Sequence, residues 1–150
     1  MTDINHILVP TDGSEGSLHA AQLAGTLARA LDAKVTVLYV QDEDQILSLS
    51  WGAVSEGLDS VEIVRSSLEK NALEECLPKT AEALGKLTND PKTVFIWGHA
   101  SEEICRYATK NDVDHIVIGS HGRSKLKRAF LGSVSQAVAN KASCPITIVK

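Results

Sequence analysis

Apolar residues occur in five short runs along the chain, and these runs are rich in valine and isoleucine. They lack a regular alternation with polar residues, as expected for strands that are buried on both faces of a sheet. The runs are Ile7–Val9, Val35–Val40, Val94–Trp97, Ile116–Ile118 and Ile146–Val149. The pattern therefore predicts five short, buried strands.

The segments between these runs show the three- and four-residue spacing of apolar positions that is typical of helices. One helical face runs from Ala20 to Leu31, with small residues that would let the helix lie close on a sheet. A second helix is predicted to begin near Ser101, with Ser101 as its N-cap and two glutamates in its first turn. The last helix is predicted to start at Ser133.

The segment Gln41–Leu87 is less regular than the rest of the chain. Gln41–Glu56 has no helical or strand period, and Pro78 interrupts the helical pattern that spans Val61–Leu87. We predict a long loop followed by a helix that Pro78 kinks or splits.

Strict alternation of strands and helices predicts an α/β fold with an open, doubly wound, five-stranded parallel sheet and helices on both faces. A length of 150 residues with 43% hydrophobic content suits a single domain over residues 1–150. Ligands of such folds bind at the carboxyl ends of strands, where the strand order switches. This rule directs attention to Pro10–Ser14, to Val40 and to the residues after Ile118.

Composition narrows the possible functions. The net charge of -4 argues against a general nucleic-acid binder, which needs many Lys and Arg contacts to phosphates. The sequence shows neither a signal-peptide pattern nor a long apolar segment, so we expect a soluble, cytoplasmic protein without membrane insertion. Cys76, Cys105 and Cys144 are far apart and lack clustered histidines, which predicts hydrophobic packing rather than a zinc site.

Glycines follow the fourth predicted strand at a distinctive spacing. Gly119 and Gly122 are three residues apart, and after nine more residues Gly132 and Ser133 open a helix. Such glycines let the backbone approach an oxyanion, and a helix start offers unpaired N–H groups and a positive dipole end. The alternative is a turn that only lets the chain leave the sheet. The motifs of a P-loop NTPase and of a dinucleotide-binding dehydrogenase are both missing.

Ile116–Ser124 and Leu131–Ser135 resemble the signature of the universal stress protein family. Ile7–Ser14 is similar to the first strand and turn of that family, and Cys144–Ile146 is similar to the start of its last strand. In this family, Gly-x2-Gly-x9-Gly-Ser/Thr marks the members that bind ATP, and here Gly119, Gly122, Gly132 and Ser133 fill the pattern. The sequence departs from many members at Lys125, where they carry glycine.

The resemblance implies an adenine nucleotide α-hydrolase-like fold that binds ATP, ADP or AMP, with or without Mg²⁺. The family pattern places the motif glycines and Ser133 against the phosphates and the end of the first strand beside the adenine. The implied nucleotide-binding residues are Pro10, Thr11, Asp12, Val40, Gly119, Gly122, Arg123, Gly132, Ser133, Val134 and Ser135. Asp12 has an alternative role as a cap of the following helix.

Other polar and aromatic residues leave two interpretations open. The cations Arg123, Lys125, Lys127 and Arg128 either favour a triphosphate and its metal or serve only solubility. His121 either contacts phosphate or caps the turn. We expect Trp51 and Trp97 to pack in the core or an interface rather than to stack on a base.

No recognisable nucleophile with its base, and no clear acidic pair for a metal and a water, accompanies this site. We therefore expect binding rather than turnover, with slow hydrolysis still open. The working hypothesis is a stress-response switch in which the nucleotide orders the Gly122–Gly132 loop for a regulatory protein partner. A response-regulator receiver is excluded because the third strand ends at Trp97-Gly98 instead of a phosphate-accepting Asp. An interaction or scaffold protein of the same fold, with no functional nucleotide site, remains the alternative.

The last strand, Ile146–Val149, is predicted to lie at an edge of the sheet. An uncovered edge exposes unpaired backbone groups and favours aggregation. The family resemblance also implies a dimer. We therefore predict a homodimer that forms largely through this strand.

Overall fold

All five predicted strands are present, and most extend slightly beyond the apolar runs. The computed structural model describes residues 3–54, 60–122 and 131–150. Its strands are β1 His6–Thr11, β2 Lys34–Gln41, β3 Lys92–Trp97, β4 His115–Gly119 and β5 Ile146–Val149. They form a parallel sheet in the order β3-β2-β1-β4-β5. The predicted α/β architecture with a five-stranded parallel sheet is therefore confirmed.

β1 lies at the centre of the sheet, and the direction of strand addition reverses beside it. Val9 pairs with Val37 of β2 on one side, and Leu8 pairs with Ile116 of β4 on the other. The switch point is thus the gap between the carboxyl ends of β1 and β4. In open parallel sheets this is where ligands bind.

Helices cover both faces of the sheet. They are α1 Glu15–Leu31, α2 Asp44–Val54, α3 Ser60–Asn71, α4 Leu77–Ala83, α5 Ala100–Lys110 and α6 Ser133–Lys141. α6 begins at Ser133 as predicted. The predicted N-cap of α5 was wrong, because the cap is His99 and Ser101 is buried in the first turn. Gly98, which directly precedes this cap, has φ of 151°, a backbone conformation that residues with side chains rarely adopt.

The predicted loop between Gln41 and Glu56 was also wrong, because α2 occupies most of it. Asp42 accepts a hydrogen bond from the Asp44 N–H at 2.9 Å and so shapes the start of this helix. Only Ile46 and Ser50 form its described buried stripe, and the stripe is half polar, while Trp51 is 79% exposed. Because Leu47 and Leu49 are exposed as well, the helix shows no amphipathic period.

Pro78 lies in the first turn of α4, and because proline lacks an N–H group it cannot make the backbone hydrogen bond that a continuing helix needs there. A π-helical turn, Ala72–Cys76, precedes it and joins α3 to α4. Within it, the Leu77 N–H bonds to the Ala72 carbonyl five residues earlier. The predicted split at Pro78 is therefore a local widening of a helix that continues.

Side chains of the strands alternate between two hydrophobic cores. On the face that we call the α1 face, Ile7, Val9 and Val37 pack with α1, the π-helical turn and α4. On the opposite face, the α5 face, Leu8 and Ile116 pack with α5 and α6. The three cysteines join these cores, as predicted. Among the described helices, none combines the length and the apolar composition that a membrane-spanning segment requires.

Small residues of α1 make two different close contacts. Ala20 and Ala24 are fully buried against the sheet, as predicted from the small-residue stripe. Gly25 instead faces α4, because a Cβ atom on Gly25 would lie 1.9 Å from the carbonyl oxygen of Leu84. The missing side chain therefore allows α4 to approach α1, rather than α1 to approach the sheet.

Replacing Gly25 with alanine tests this contact. Alanine normally stabilises a helix relative to glycine by about 1 kcal/mol. Here the added methyl group meets a backbone oxygen, so we expect Gly25→Ala to lower the free energy of unfolding by about 2 kcal/mol. Denaturation in guanidinium chloride measures the change. The control is Gln22→Ala on the exposed side of the same helix, and a stabilised Gly25→Ala protein would contradict the contact.

His6 is buried at the amino end of β1, whereas the switch point lies at the carboxyl ends of the strands. Its Nδ1 donates to the Asn111 carbonyl at 3.2 Å, which leaves Nε2 to accept from the Thr36 hydroxyl at 2.8 Å. Burial, helped by the charge of Lys34, lowers the pKa of His6 below its usual value. Burial likewise lowers the pKa of His115 at the start of β4.

These two histidines predict how stability depends on pH. Because their folded-state pKa values lie below the unfolded value of 6.5, the unfolded chain binds more protons in mildly acidic solution. Their contribution to the free energy of unfolding is complete above the unfolded-state pKa, and it is lost as the pH falls through the folded-state pKa values. We expect the free energy of unfolding to decrease between pH 7.5 and 5.5, and His6→Gln to reduce this decrease. A flat profile for the unmodified protein would show that neither histidine is held neutral.

Candidate functional site

A cleft of about 220 Å³ opens at the switch point between β1 and β4. Its walls come from the carboxyl ends of three strands, the β1–α1 turn and the starts of α5 and α6. The described lining residues are Pro10, Thr11, Asp12, Ser17, Leu38, Val40, Ala100, Ile104, Ile118, Gly119, Ser120, His121, Gly122, Gly132, Ser133, Val134 and Ser135.

Ten of the eleven residues predicted from sequence therefore lie around one cleft. The eleventh, Arg123, lies outside the described residues, as do Lys125, Lys127 and Arg128. Trp51 and Trp97 are not among the described lining residues; the Trp97 ring packs edge-on against Phe95. The structure brings the predicted residues together, and their contact with a nucleotide stays a prediction.

One end of the cleft is apolar and belongs to the α5 face of the sheet. Leu38 comes from β2 and Ile118 from β4, the two strands that flank β1, and Ile104 comes from α5. Val40, near the carboxyl end of β2, continues this surface. Such a surface suits the flat face of an aromatic ring system.

The lining of the cleft also includes the start of α6. Its N-cap is Gly132, which has no side chain to accept a hydrogen bond, and the first helical bond runs from the Gln136 N–H to the Gly132 carbonyl. Within the described residues, the N–H groups of Ser133, Val134 and Ser135 therefore have no acceptor. Unpaired N–H groups at the positive end of a helix favour an anion.

The carbonyl group of Ser120 joins the end of β4 to the start of α6. It accepts hydrogen bonds from the Gly132 N–H at 2.7 Å and from the Ser135 hydroxyl at 2.9 Å. The Ser120 N–H in turn donates to the Val149 carbonyl at 2.8 Å. These bonds, which we call the Ser120 clasp, fix α6 relative to the sheet. The hydroxyl of Ser135, a predicted ligand residue, thus has a structural partner.

Two of the motif glycines are required by packing. A Cβ atom on Gly119 would lie 2.9 Å from the backbone of Gly16, at the start of α1. A Cβ atom on Gly132 would lie 2.9 Å from the Ser120 oxygen. Gly119 therefore lets α1 approach β4, and Gly132 belongs to the Ser120 clasp. Close backbone packing, rather than a turn that only lets the chain leave the sheet, therefore accounts for these two glycines.

Gly122 differs from these two because it is exposed and faces a charged side chain. A Cβ atom on Gly122 would lie 2.4 Å from Oδ2 of Asp12. Its backbone is not in the left-handed region, unlike that of Gly13. Space beside Asp12, rather than backbone conformation, is what a side chain at position 122 would remove.

Asp12 shapes the turn between β1 and α1. Its Oδ1 accepts hydrogen bonds from the Ser14 N–H at 2.9 Å and from the Ser17 hydroxyl at 2.7 Å. The N-cap of α1 is Ser14, whose side chain accepts from the Ser17 N–H. The capping alternative for Asp12 is therefore replaced by a turn-forming role, which one oxygen performs while the other faces Gly122.

Thr11 borders the cleft, but its hydroxyl group lies on the other side of the sheet. It is 2.7 Å from the hydroxyl of Thr80 on α4, which belongs to the α1 face. Because strand side chains alternate, Pro10 is turned to the cleft and Thr11 away from it. Thr11 can therefore meet a ligand only through its backbone.

His121 pairs through Nδ1 with the Ser120 hydroxyl at 3.0 Å. Its Nε2 is buried and has no partner among the described residues. Six lining residues were not predicted from sequence as nucleotide contacts, and the role of His121 was open; the six are Ser17, Leu38, Ala100, Ile104, Ile118 and Ser120. Ser17 was within reach of sequence reasoning, because it lies three residues after the N-cap serine.

The model of the universal stress protein family matches residues 3–150 of this sequence. The chain belongs to the universal stress protein family. Its resemblance to that family, inferred from the glycine motif and the strand ends, is thereby confirmed.

Relatives and solved structures agree with this assignment. Universal stress protein MJ0531 of Methanocaldococcus jannaschii is 36% identical over 148 residues, which cover 96% of this chain and 81% of that protein. Universal stress protein YxiE of Bacillus subtilis is 32% identical, with 97% and 99% covered. The solved structure of MJ0577 from Methanocaldococcus jannaschii superposes with a TM-score of 0.80 at 30% identity, covering 99% and 97% of the two chains. UspA from Lactobacillus plantarum gives 0.72 at 25% identity over the full length of both chains.

Proposed function

We propose that this universal stress protein binds ATP, or the related ADP or AMP, in the cleft between β1 and β4. The observation that carries the proposal is the start of α6, where Gly132 leaves the N–H groups of residues 133–135 without a side-chain cap. The phosphates would accept hydrogen bonds from these groups. Gly122, which leaves space beside Asp12, would lie against the same phosphates.

The adenine would occupy the apolar end of the cleft. Leu38, Ile104 and Ile118 offer surfaces for the faces of the base, and the backbone of Val40 offers groups to its edge. Pro10 and the backbone of Thr11 would border it from β1. An apolar end and an anion-binding end in one cleft match the two halves of a nucleotide.

Other members of the family support this assignment. A universal stress protein 23% identical to this chain has been solved in complex with cAMP, with a TM-score of 0.65. One from Archaeoglobus fulgidus, 20% identical, has been solved in complex with dAMP, also with a TM-score of 0.65. These likenesses establish the shared fold, and the proposal for this chain rests on its own cleft.

A Mg²⁺ ion would enter with the triphosphate. The described residues contain no cluster of three or more side chains suited to a metal, and Mg²⁺ commonly binds through one or two carboxylates together with substrate phosphates. Asp12 is the acidic residue of the described lining and would be the nearest carboxylate. Arg123, whose position lies outside the described residues, is proposed as a further phosphate contact.

We propose a regulatory role rather than a catalytic one. The nucleotide would touch both the β1–α1 turn and the start of α6, so that occupancy changes how these two elements are held. A regulatory protein partner would respond to that difference. Slow ATP hydrolysis is compatible with this role.

We propose that residues 1–150 form a single domain, because the two hydrophobic cores share one sheet. The cytoplasmic location stays a prediction.

Calorimetric titration with ATP, ADP and AMP tests the nucleotide proposal. We expect heat of binding and a rise in melting temperature, because a ligand that binds only the folded state stabilises it. Gly122→Val should weaken binding about tenfold or more, equivalent to about 1.4 kcal/mol, since its side chain would displace the Asp12 carboxylate. Asn140→Ala, on the exposed side of α6, is the control for an effect on the fold. If none of the three nucleotides binds to the unmodified protein, the nucleotide proposal fails. The alternative of an interaction or scaffold protein without a functional nucleotide site then remains.

We also propose that the chain forms a homodimer through β5, which lies at an edge of the sheet. The carbonyl groups of Pro145 and Val149 bond to β4 and the residue after it. Because backbone groups alternate along a strand, the N–H and carbonyl groups of Ile146 and Ile148 point away from β4. They are therefore placed to pair with another copy of the strand.

Light scattering and amide hydrogen exchange test this dimer. We expect a dimeric mass at micromolar concentration, and protection of the Ile146 and Ile148 amides that decreases on dilution. The Thr147 amide, which faces β4, is the internal control and should keep its protection. A monomeric mass throughout would overturn the proposal.

A further inference from the structure

The β1–α1 turn, residues 11–14, is held from the face of the sheet opposite to the cleft. Thr80 of α4 is fully buried behind it. Its hydroxyl lies 2.8 Å from the carbonyl oxygen of Cys76 and 2.7 Å from the hydroxyl of Thr11. The Thr11 hydroxyl lies in turn 3.1 Å from the backbone nitrogen of Gly13.

The direction of these hydrogen bonds follows from what each group can donate. A carbonyl oxygen only accepts, so the single hydroxyl hydrogen of Thr80 goes to Cys76. Thr80 must then accept from Thr11, and Thr11 must accept from the Gly13 N–H. The result is a one-way chain from Gly13 through Thr11 and Thr80 to Cys76, in which each bond polarises the next.

A second contact holds the same turn. Gly13 has φ of 79°, the left-handed region that favours glycine, and a Cβ atom there would lie 2.7 Å from Sγ of Cys76. The π-helical turn that carries Cys76 therefore packs directly on Gly13. Contact at two points, one polar and one steric, leaves the turn little freedom to change its conformation.

The turn in turn determines where the Asp12 carboxylate points. Oδ1 of Asp12 is bound to the Ser14 N–H and the Ser17 hydroxyl, and the Asp12 N–H donates to Ser17 Oγ at 3.2 Å. Any shift of Gly13 or Ser14 would move this network. Oδ2, which lies beside Gly122, would move with it.

We propose that Thr80 is a positioning residue for the nucleotide site, acting through Thr11 and Gly13 on Asp12. It does not line the cleft, and it acts from the opposite face of the sheet. The proposal rests on the proposed function, because Asp12 is one of the residues assigned there to the nucleotide. It also gives Thr11 a role that its place beside the cleft does not: its hydroxyl transmits the position of α4.

The test compares three variants of the full chain. Thr80→Val keeps the shape but removes the hydroxyl, while Thr80→Ser keeps the hydroxyl. Thr36→Val is the matched control. Thr36 is also buried and bonds to His6 at 2.8 Å, but it lies near the amino ends of the strands, away from the cleft. Calorimetry with ATP measures affinity, thermal unfolding measures stability, and amide exchange at Gly13 and Ser14 in the nucleotide-free protein reports on the turn.

We expect Thr80→Val to weaken ATP binding about tenfold, and Thr80→Ser to stay within about threefold of the unmodified protein. Thr36→Val should lose stability without losing affinity. Exchange at Gly13 should be faster in Thr80→Val than in Thr36→Val. Unchanged affinity in Thr80→Val, or an equal loss in Thr36→Val, would overturn the positioning role.

The same measurements separate this inference from the proposed function. If the unmodified protein binds ATP but Thr80→Val binds it equally well, only the inference fails. If the unmodified protein binds no adenine nucleotide, the proposed function fails, and Thr80 has no nucleotide site to position. Exchange at Gly13 and Ser14 then still decides whether Thr80 holds the turn.

Discussion

The close backbone contact between Gly119 and Gly16 is the constraint on which the geometry of the cleft depends. It brings the end of β4 against the start of α1, at the point where the strand order of the sheet reverses. Any side chain at position 119 would force the two backbones apart, because the atoms it meets belong to the backbone and cannot move aside as a flexible side chain could. Asp12, Ser17 and Gly122 then meet around the same opening because α1 and β4 are held together behind them.

The Ser120 clasp extends this arrangement to α6. The Ser120 carbonyl accepts from both Gly132 and Ser135, and its N–H bonds to β5, so one residue connects β4, β5 and α6. The start of α6 is thereby directed at the cleft without a side chain that caps it. The family's glycine spacing consequently has two physical sources. Gly119 and Gly132 are needed by backbone packing, and Gly122 is needed to leave room beside a carboxylate.

The two faces of the sheet contribute differently to the candidate site. The α5 face forms the apolar end of the cleft, with Leu38 and Ile104. The α1 face holds the β1–α1 turn in place, through the hydrogen-bond chain from Gly13 to Cys76 and the packing of Gly13 on the π-helical turn. In the proposed function, the nucleotide therefore contacts the α5 face, while residues on the α1 face determine the position of the β1–α1 turn.

The sequence by itself determined the strands and the parallel α/β fold, and its resemblance to the universal stress protein family implied ten of the residues around the cleft. Strands buried on both faces, and glycines at fixed distances from a strand end, are local patterns that survive without knowledge of neighbours. Three features were decided by tertiary structure alone: α2, whose inner stripe is half polar; the direction of the Thr11 hydroxyl; and the approach of Gly25 to Leu84. Each depends on a residue distant in sequence or on what packs against one side of a helix, and a one-dimensional pattern contains no information about such partners.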